Sequence, residues 1–172
     1  METGFPDAFT TARLRAERLT PDHVTEIRRM HGDTRVMALL GGVRDEAKTT
    51  EYFTRNLQHW ADYGFGLWIL CERSGSDPIG RAVLRHVLID DVDEVEVGYA
   101  FYEPYWGRGL ATEVAQVCVA FAERELHLAS VVGVTSPENS ASQHVLRKAG
   151  LRFEREFLHD GEPSSLFRRR FR

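Results

Sequence analysis

No apolar run in the sequence approaches the length that crosses a bilayer, so membrane insertion is not expected. The opening stretch METGFPDAFTTARLR has none of the cationic, apolar and small-residue regions of a signal peptide, which points to a cytoplasmic protein. Cysteine is scarce. Cys71 and Cys118 lie far apart in apolar surroundings, without CxxC or metal-ligand spacing, and read as buried reduced thiols rather than a disulfide, a zinc site or a nucleophile. The histidines, among them His86, His127 and His144, show no ligand spacing either, and no metal is assigned. There is no excess of basic residues: a net charge of -4 argues against nucleic acid as a partner and favours a cationic acceptor molecule. The exception is the tail FRRRFR, which reads as a last strand with Phe167, Arg169 and Phe171 on one face and Arg168, Arg170 and Arg172 on a solvated basic face. Internal repeats and low-complexity linkers are absent too. The 172 residues are expected to form one domain, 1–172, with residues 1–10 as a flexible start.

What is present is a regular succession of periodic segments. RLRAERL alternates like a strand, after which Thr20 and Pro21 open a helix running to about Met30. Asp45 to Tyr63 has helical spacing in Phe53, Leu57 and Trp60 and stops at Gly64, while TRVMALLGGVR between the two helices reads as a loop. GLWILCE, IGRAVLRHVLI and EVEVGYAF, separated by the turns RSGSDP and DDVD, form an antiparallel meander. Leu110, Val114, Val117, Cys118 and Phe121 mark a further helix, followed by the short strand SVVGVT, the helix NSASQHVLRKAG and a closing hairpin around Asp160-Gly161. The order is βααβββαβαββ, an α+β three-layer arrangement with about seven strands, four helices and one right-handed parallel crossover in an otherwise antiparallel sheet.

The segment YWGRGLATE at residues 105–113 carries the chemistry. It lacks the GxxxxGK[ST] of a P-loop, and a GxGxxG fingerprint starting at Gly107 meets Thr112 at its third glycine position. It follows a strand end and opens a helix. The first N–H groups of a helix have no internal partners, and Gly107, Gly109 and Ala111 leave the backbone bare, so Gly107, Arg108, Gly109, Leu110, Ala111 and Thr112 form a cradle suited to a pyrophosphate.

That segment resembles motif A of the GNAT N-acetyltransferases, with Trp106, Gly109 and Ala111 at its defined positions; the tryptophan is similar to the RimJ/RimL-like branch of ribosomal-protein acetyltransferases. TARLRAERLTPDH resembles that branch's first strand and helix, EVEVGYAFYEPYWGRGLATE its central strand and loop, and NSASQHVLRKAGL its motif B. The resemblance implies a GNAT-like fold and acetyl-CoA as co-substrate. It further implies that Tyr99, Ala100 and Phe101 pair with the pantetheine arm, that residues 106–112 take the pyrophosphate, and that Asn139 and Ser142 meet the pantetheine and its sulfur. The acceptor would be a primary amine, on a protein N-terminus or a small molecule, and the protein a monomer or homodimer.

Acetyl transfer to an alkylammonium requires a base, a polarised thioester carbonyl and a proton for the departing thiolate. Glu94 and Glu96 share one strand face, and Glu96, three residues before the pantetheine segment, is the candidate base. A backbone N–H near Ala100 or Phe101 would polarise the carbonyl. Many members of the family carry a tyrosine seven residues after the motif B asparagine; here that residue is Leu146, so Ser142 becomes the candidate donor, with Tyr99, Tyr102 and Tyr105 as alternatives. A CoA-binding module without catalysis carries the same cofactor motifs and stands as the other reading. Asn139 is equally consistent with a helix cap.

Overall fold

The structure, a computed structural model, describes residues 7–172. Strands β1 (Ala8–Thr10), β2 (Leu14–Arg18), β3 (Leu67–Glu72), β4 (Pro78–Ile89), β5 (Val92–Phe101), β6 (Ser130–Thr135), β7 (Arg152–His159) and β8 (Glu162–Arg170) form one eight-stranded sheet in the order β1-β2-β3-β4-β5-β6-β8-β7. All neighbours are antiparallel except β5 and β6. Within the stretch 1–10, expected to be flexible, Ala8–Thr10 pairs with β2, and Phe9 sets its ring edge-on against Trp68 and Phe121. Residues 1–6 of that stretch lie outside the described residues.

Among the described residues five α-helices flank the sheet: α1 (Val24–Gly32), α2 (Thr34–Met37), α3 (Glu46–Tyr63), α4 (Leu110–Arg124) and α5 (Ser140–Lys148). Pro21–His23 forms a 3-10 turn ahead of α1. The segment read as a loop contains α2, because the Asp33 carboxylate accepts from the N–H groups of Arg35 and Val36 and starts a short helix whose Val36 and Met37 are buried. In α3, Asp45 caps the Lys48 N–H, and Gly64 ends the helix at a φ of 73°. The β4–β5 hairpin turns on Asp90 and Asp91, both at positive φ, with Ile89 opposite Val92.

Alternation along the strands sorts side chains onto two faces. Leu84 and Ala82 of β4 and Val97 and Tyr99 of β5 point toward α4 and α5, where Leu110, Val114, Cys118 and Leu146 are buried. Arg81 and Arg85 of β4 and Glu96, Gly98 and Ala100 of β5 point to the opposite face, which α3 covers through Tyr52. The two apolar layers and the strands between them supply most of the burial that holds the sheet. The basic tail is less solvated than its sequence suggests. Arg168 has a side chain only 13% exposed, clasped by Glu94 and Glu154.

Candidate active site

Strands β5 and β6 touch in a single parallel register pair, Glu96 opposite Val132, and then part. Beyond Glu96, β5 stays paired with β4 as far as Phe101 opposite Gly80, so its other edge from Val97 to Phe101 is left without a neighbouring strand. The Tyr102 N–H donates to the Ile79 carbonyl on the β4 side. Successive residues of a strand alternate the edge to which their N–H and C=O point, so Ala100 also faces β4, whereas Tyr99 and Phe101 face the gap. The Ala100 carbonyl accordingly lies 2.4 Å from where a Cβ on Gly80 would stand. The expectation that Ala100 offers backbone groups to a pantetheine arm is therefore corrected: its backbone belongs to the β4 ladder, and the amides open to the gap are those of Tyr99 and Phe101. The indole N–H of Trp106 donates to the Phe101 carbonyl at 2.7 Å and locks the end of the strand.

The chain then turns through Glu103–Tyr105 into residues 106–112. Gly107 and Gly109 adopt φ of 71° and 77°, in the left-handed region that side-chain-bearing residues disfavour, and Gly109 is the N-cap of α4 without a side-chain cap. The Glu113 N–H bonds back to the Gly109 carbonyl, which leaves those of Leu110, Ala111 and Thr112 without helical acceptors. Together with Gly107 and Arg108 they make a donor-rich loop at the positive end of the helix dipole, open beside Gly107 and bordered at Gly109 by the Arg13 guanidinium. Arg13 ties the loop to β2: its Nη1 donates to the Arg108 carbonyl at 2.7 Å, and its backbone N and Nε bond the Glu113 carboxylate at 3.1 Å each. Arg108 reaches Glu72 at 3.0 Å and lies over the Tyr105 ring. Arg13 was not singled out in the sequence, because nothing local links it to a loop some hundred positions away.

Across the gap stands the first turn of α5. The Asn139 side-chain oxygen accepts from the Ser142 N–H at 3.0 Å, so Asn139 does serve as a helix cap, with its amide nitrogen left for another partner. The Tyr99 hydroxyl donates to the Ser142 carbonyl at 2.9 Å and lies 3.1 Å from the Ser142 hydroxyl. Of the three alternative tyrosines, Tyr99 is the one beside Ser142. Tyr102 is bonded to Glu26 at 2.6 Å, and Tyr105 faces Arg108. Burial holds the Tyr99 phenol well above its ordinary range, only partly offset by its bond to Ser142, so it is suited to donating a hydrogen bond and poorly suited to releasing a proton. Leu146 is 1% exposed, with Cδ2 2.5 Å from where a Cβ on Gly133 would stand. It packs between α5 and β6.

On the other face the two glutamates part company. Glu94 is held bidentately by Arg168, at 2.8 and 2.9 Å, and Arg168 also bonds Glu154 and Ser130. Glu96 sits where the strands separate and is only 8% exposed, with one carboxylate oxygen 3.2 Å from Arg85 Nε. Burial works against the Arg85 charge, and Glu96 and Tyr52 together more than offset it, raising its pKa. Arg44, Arg81 and Arg85 all lie over the Tyr52 ring, at 4.9, 5.7 and 5.8 Å from its centroid. His31 meets the edge of the same ring and bonds Thr49 at 3.1 Å. Burial first, then the charges of Arg44 and Arg81, lower its pKa to about 4, so it is neutral at neutral pH. The overall acidity of the chain suggested a cationic acceptor, but the charge gathered on this face is positive. A separate hollow of about 550 Å³ opens between Arg29, Asp33, Pro78, Tyr102 and Tyr105, so two of the alternative tyrosines line it while Glu96, Asn139 and Ser142 do not.

Both thiols are buried. Burial pushes Cys118 up to about 12 and also raises Cys71, so neither is poised as a thiolate. No cluster of metal-ligating side chains occurs among the described residues. The arrangement is thus a strand edge with free amides, a donor-rich loop at its end, and a buried carboxylate at the point where the two strands separate. It fits an extended ligand with an anionic middle and a carbonyl to be polarised.

Comparison with known proteins agrees. The family model for the acetyltransferase (GNAT) domain matches residues 13–152. The FsC-acetyl coenzyme A-N(2)-transacetylase of Aspergillus fumigatus is 30% identical over 87% of this chain and 66% of its own. The Bacillus subtilis protein YkkB is 26% identical over 87% of each chain. Among solved structures, an acetyltransferase from Agrobacterium tumefaciens superposes with a TM-score of 0.85 at 24% identity, covering 99% of this chain and 98% of that one. RimL, a ribosomal L7/L12 α-N-protein acetyltransferase solved in complex with coenzyme A, gives 0.74 at 14% identity, covering 95% and 97%. At these identities the two structures demonstrate a shared fold.

Proposed function

Since the chain belongs to the GNAT acetyltransferase family and is an acetyl-CoA-dependent acyltransferase, we propose that it moves an acetyl group to a primary amine by direct attack in a ternary complex, with Glu96 as base. The observation that carries this reading is the parting of β5 from β6 immediately after Glu96, with the bare loop 107–112 at the far end of the opened edge.

Acetyl-CoA supplies an activated acyl carbon on a thiolate leaving group. The N–H groups of Tyr99 and Phe101 hold the pantetheine arm along the gap, and one of them donates to the thioester oxygen, where negative charge grows during attack. The amides of Gly107 to Thr112 hold the pyrophosphate, with Trp106 fixing the strand end that leads into them. Asn139, through its free amide nitrogen, and Ser142 meet the arm from the α5 side. Glu96 removes a proton from the acceptor ammonium, directly or through one water, so that the nitrogen lone pair can form the new C–N bond as the C–S bond breaks. The leaving sulfur receives a hydrogen bond from the Tyr99–Ser142 pair, which orients it; the second proton that the nitrogen loses as the amide forms passes to solvent and balances the one the thiolate takes from solvent. Arg85 keeps the Glu96 carboxylate in place. Placement in the RimJ/RimL-like branch rests on Trp106 and Ser142, and a cytoplasmic location fits acetyl-CoA use; the domain is read as spanning 1–172. The alternative of a CoA-binding module without catalysis loses ground because Glu96 is buried at the fork rather than solvated on a strand face.

Initial rates of thiol release, with acetyl-CoA and a panel of amines varied together, test the proposal. Intersecting lines and amine-dependent release are expected. Parallel lines, or an acetyl group found by mass spectrometry on Cys71 or Cys118, would refute direct attack, and CoA binding with no acetylated amine would favour the non-catalytic module.

A further inference from the structure

The face of the sheet that carries Glu96 also carries charge that the transfer reaction does not use. Arg85 is accounted for by Glu96. Arg81, two residues from each of Val83 and Ile79 on the same face of β4 and opposite Ala100, is only 8% exposed, yet its Nε makes no hydrogen bond and no carboxylate lies within ion-pairing distance of it among the described residues. The hydroxyl of Tyr52, 3% exposed, makes no well-formed hydrogen bond either, although it interacts with the Arg85 guanidinium. Arg44 completes the group, its Nη1 3.2 Å from the His31 ring nitrogen. With His31 neutral, the Arg44 and Arg81 guanidiniums both lie over the Tyr52 ring, and neither has a carboxylate partner among the described residues.

Buried polar atoms are almost always bonded and buried charges almost always paired, so an unbalanced cluster of this kind marks a place where a ligand completes the set. The half-exposed Gly98 and Arg85 give it an opening to solvent beside Glu96. Between Glu96 and Arg81 the same face carries Gly98 and Ala100, with a Val83 methyl leaning over Gly98, 2.9 Å from where a Cβ would stand. The planar fork of a guanidinium with a neighbouring hydroxyl matches the two oxygens of a carboxylate.

Resting on the reading of Glu96 as the base, we infer that the acceptor is a small molecule carrying both an amine and a carboxylate, the carboxylate bound by Arg81, Arg44 and the Tyr52 hydroxyl and the amine facing Glu96. An amino acid is the simplest member of that class, and its neutral amide lacks the recognised charge while keeping its size.

Calorimetry on the full chain saturated with coenzyme A, using α- and ω-amino acids and the matching amino amides as probes, reads binding without requiring turnover. For at least one chain length the carboxylate should bind about ten- to a hundredfold more tightly than its amide, the range that charge-assisted hydrogen bonds span. Arg81→Gln should erase that difference, with thermal unfolding reporting whether the variant is folded. Should the variant not fold, the wild-type carboxylate-to-amide ratio still decides. Equal binding of acids and amides by the wild type would overturn the inference, as would tighter binding of an aminoalkyl phosphate or of a peptide with an acidic first residue. Preferential binding of amino acids without any acetylated product would leave the carboxylate site standing and remove the catalytic reading instead.

Discussion

Replacing Glu96 with Gln deletes one negative charge and almost no volume. Removing one partner of a fully buried ion pair costs about 3–5 kcal/mol, because the other charge is stranded. Here the penalty is smaller. The Arg85 side chain is 26% exposed, and the Gln amide oxygen can still accept from its Nε across the present 3.2 Å. With that discount for solvent, about 1–2 kcal/mol is expected, which a domain of ordinary stability survives. The effect on turnover should be far larger, roughly 10² to 10⁴ at neutral pH, the usual contribution of a positioned base. Acetyl-CoA affinity should be unchanged, since Glu96 points to the face opposite α4 and α5. The pH profile separates this from simple damage. An acceptor ammonium with a pKa near 10 is mostly protonated at pH 7, so the neutral fraction, and with it the rate of a variant lacking the base, should climb about tenfold per pH unit toward the wild-type rate. Stopped assays of amine-dependent thiol release between pH 7 and 9.5, alongside calorimetry with acetyl-CoA, decide it. Full turnover at pH 7, or a loss of the same size at every pH, would refute Glu96 as the base.

The neighbouring carboxylate is expected to behave in the opposite way: Glu94→Gln leaves Arg168 with Glu154 as its one carboxylate partner, lowering stability by about 1–2 kcal/mol in urea denaturation while turnover per folded molecule holds. Gly109→Val must place a side chain at a φ of 77°, for about 2 kcal/mol of strain, and should also abolish acetyl-CoA binding by calorimetry. Gly64→Val, at a φ of 73° in open space, carries the same strain and should bind normally; equal affinity in the two variants would remove the pyrophosphate role of the loop. His31 links stability to pH, because its folded pKa of about 4 lies below the ordinary 6.5 and the unfolded chain therefore binds the extra proton. Its contribution, on the order of 3 kcal/mol, is present in full above pH 6.5 and is lost as pH falls toward 4, so the urea midpoint of the wild type should drop more steeply over that window than that of His31→Asn.

The sequence by itself determined the elements whose information is local. Apolar positions repeating every second or every three to four residues marked the meander, α4 and the crossover, and Gly64, Gly107, Gly109 and the Asp160-Gly161 turn declared themselves because only certain residues tolerate positive φ. The four-residue α2 was invisible, being too short for a period, and depends on an Asp33 cap. What only the tertiary structure decided is which groups meet. Whether the Ala100 amide faces a gap or a ladder follows from the register of β5 on β4. That Glu94 is clasped while Glu96 stands at the fork depends on β8 bringing Arg168 beside one and not the other. That Arg81 and Arg85 share the Tyr52 ring depends on α3 packing across this face of the sheet. Dihedral preference and periodicity act between neighbours in the chain and can be read there. Charge pairing and burial act through space, between residues whose distance is set only when the sheet has closed.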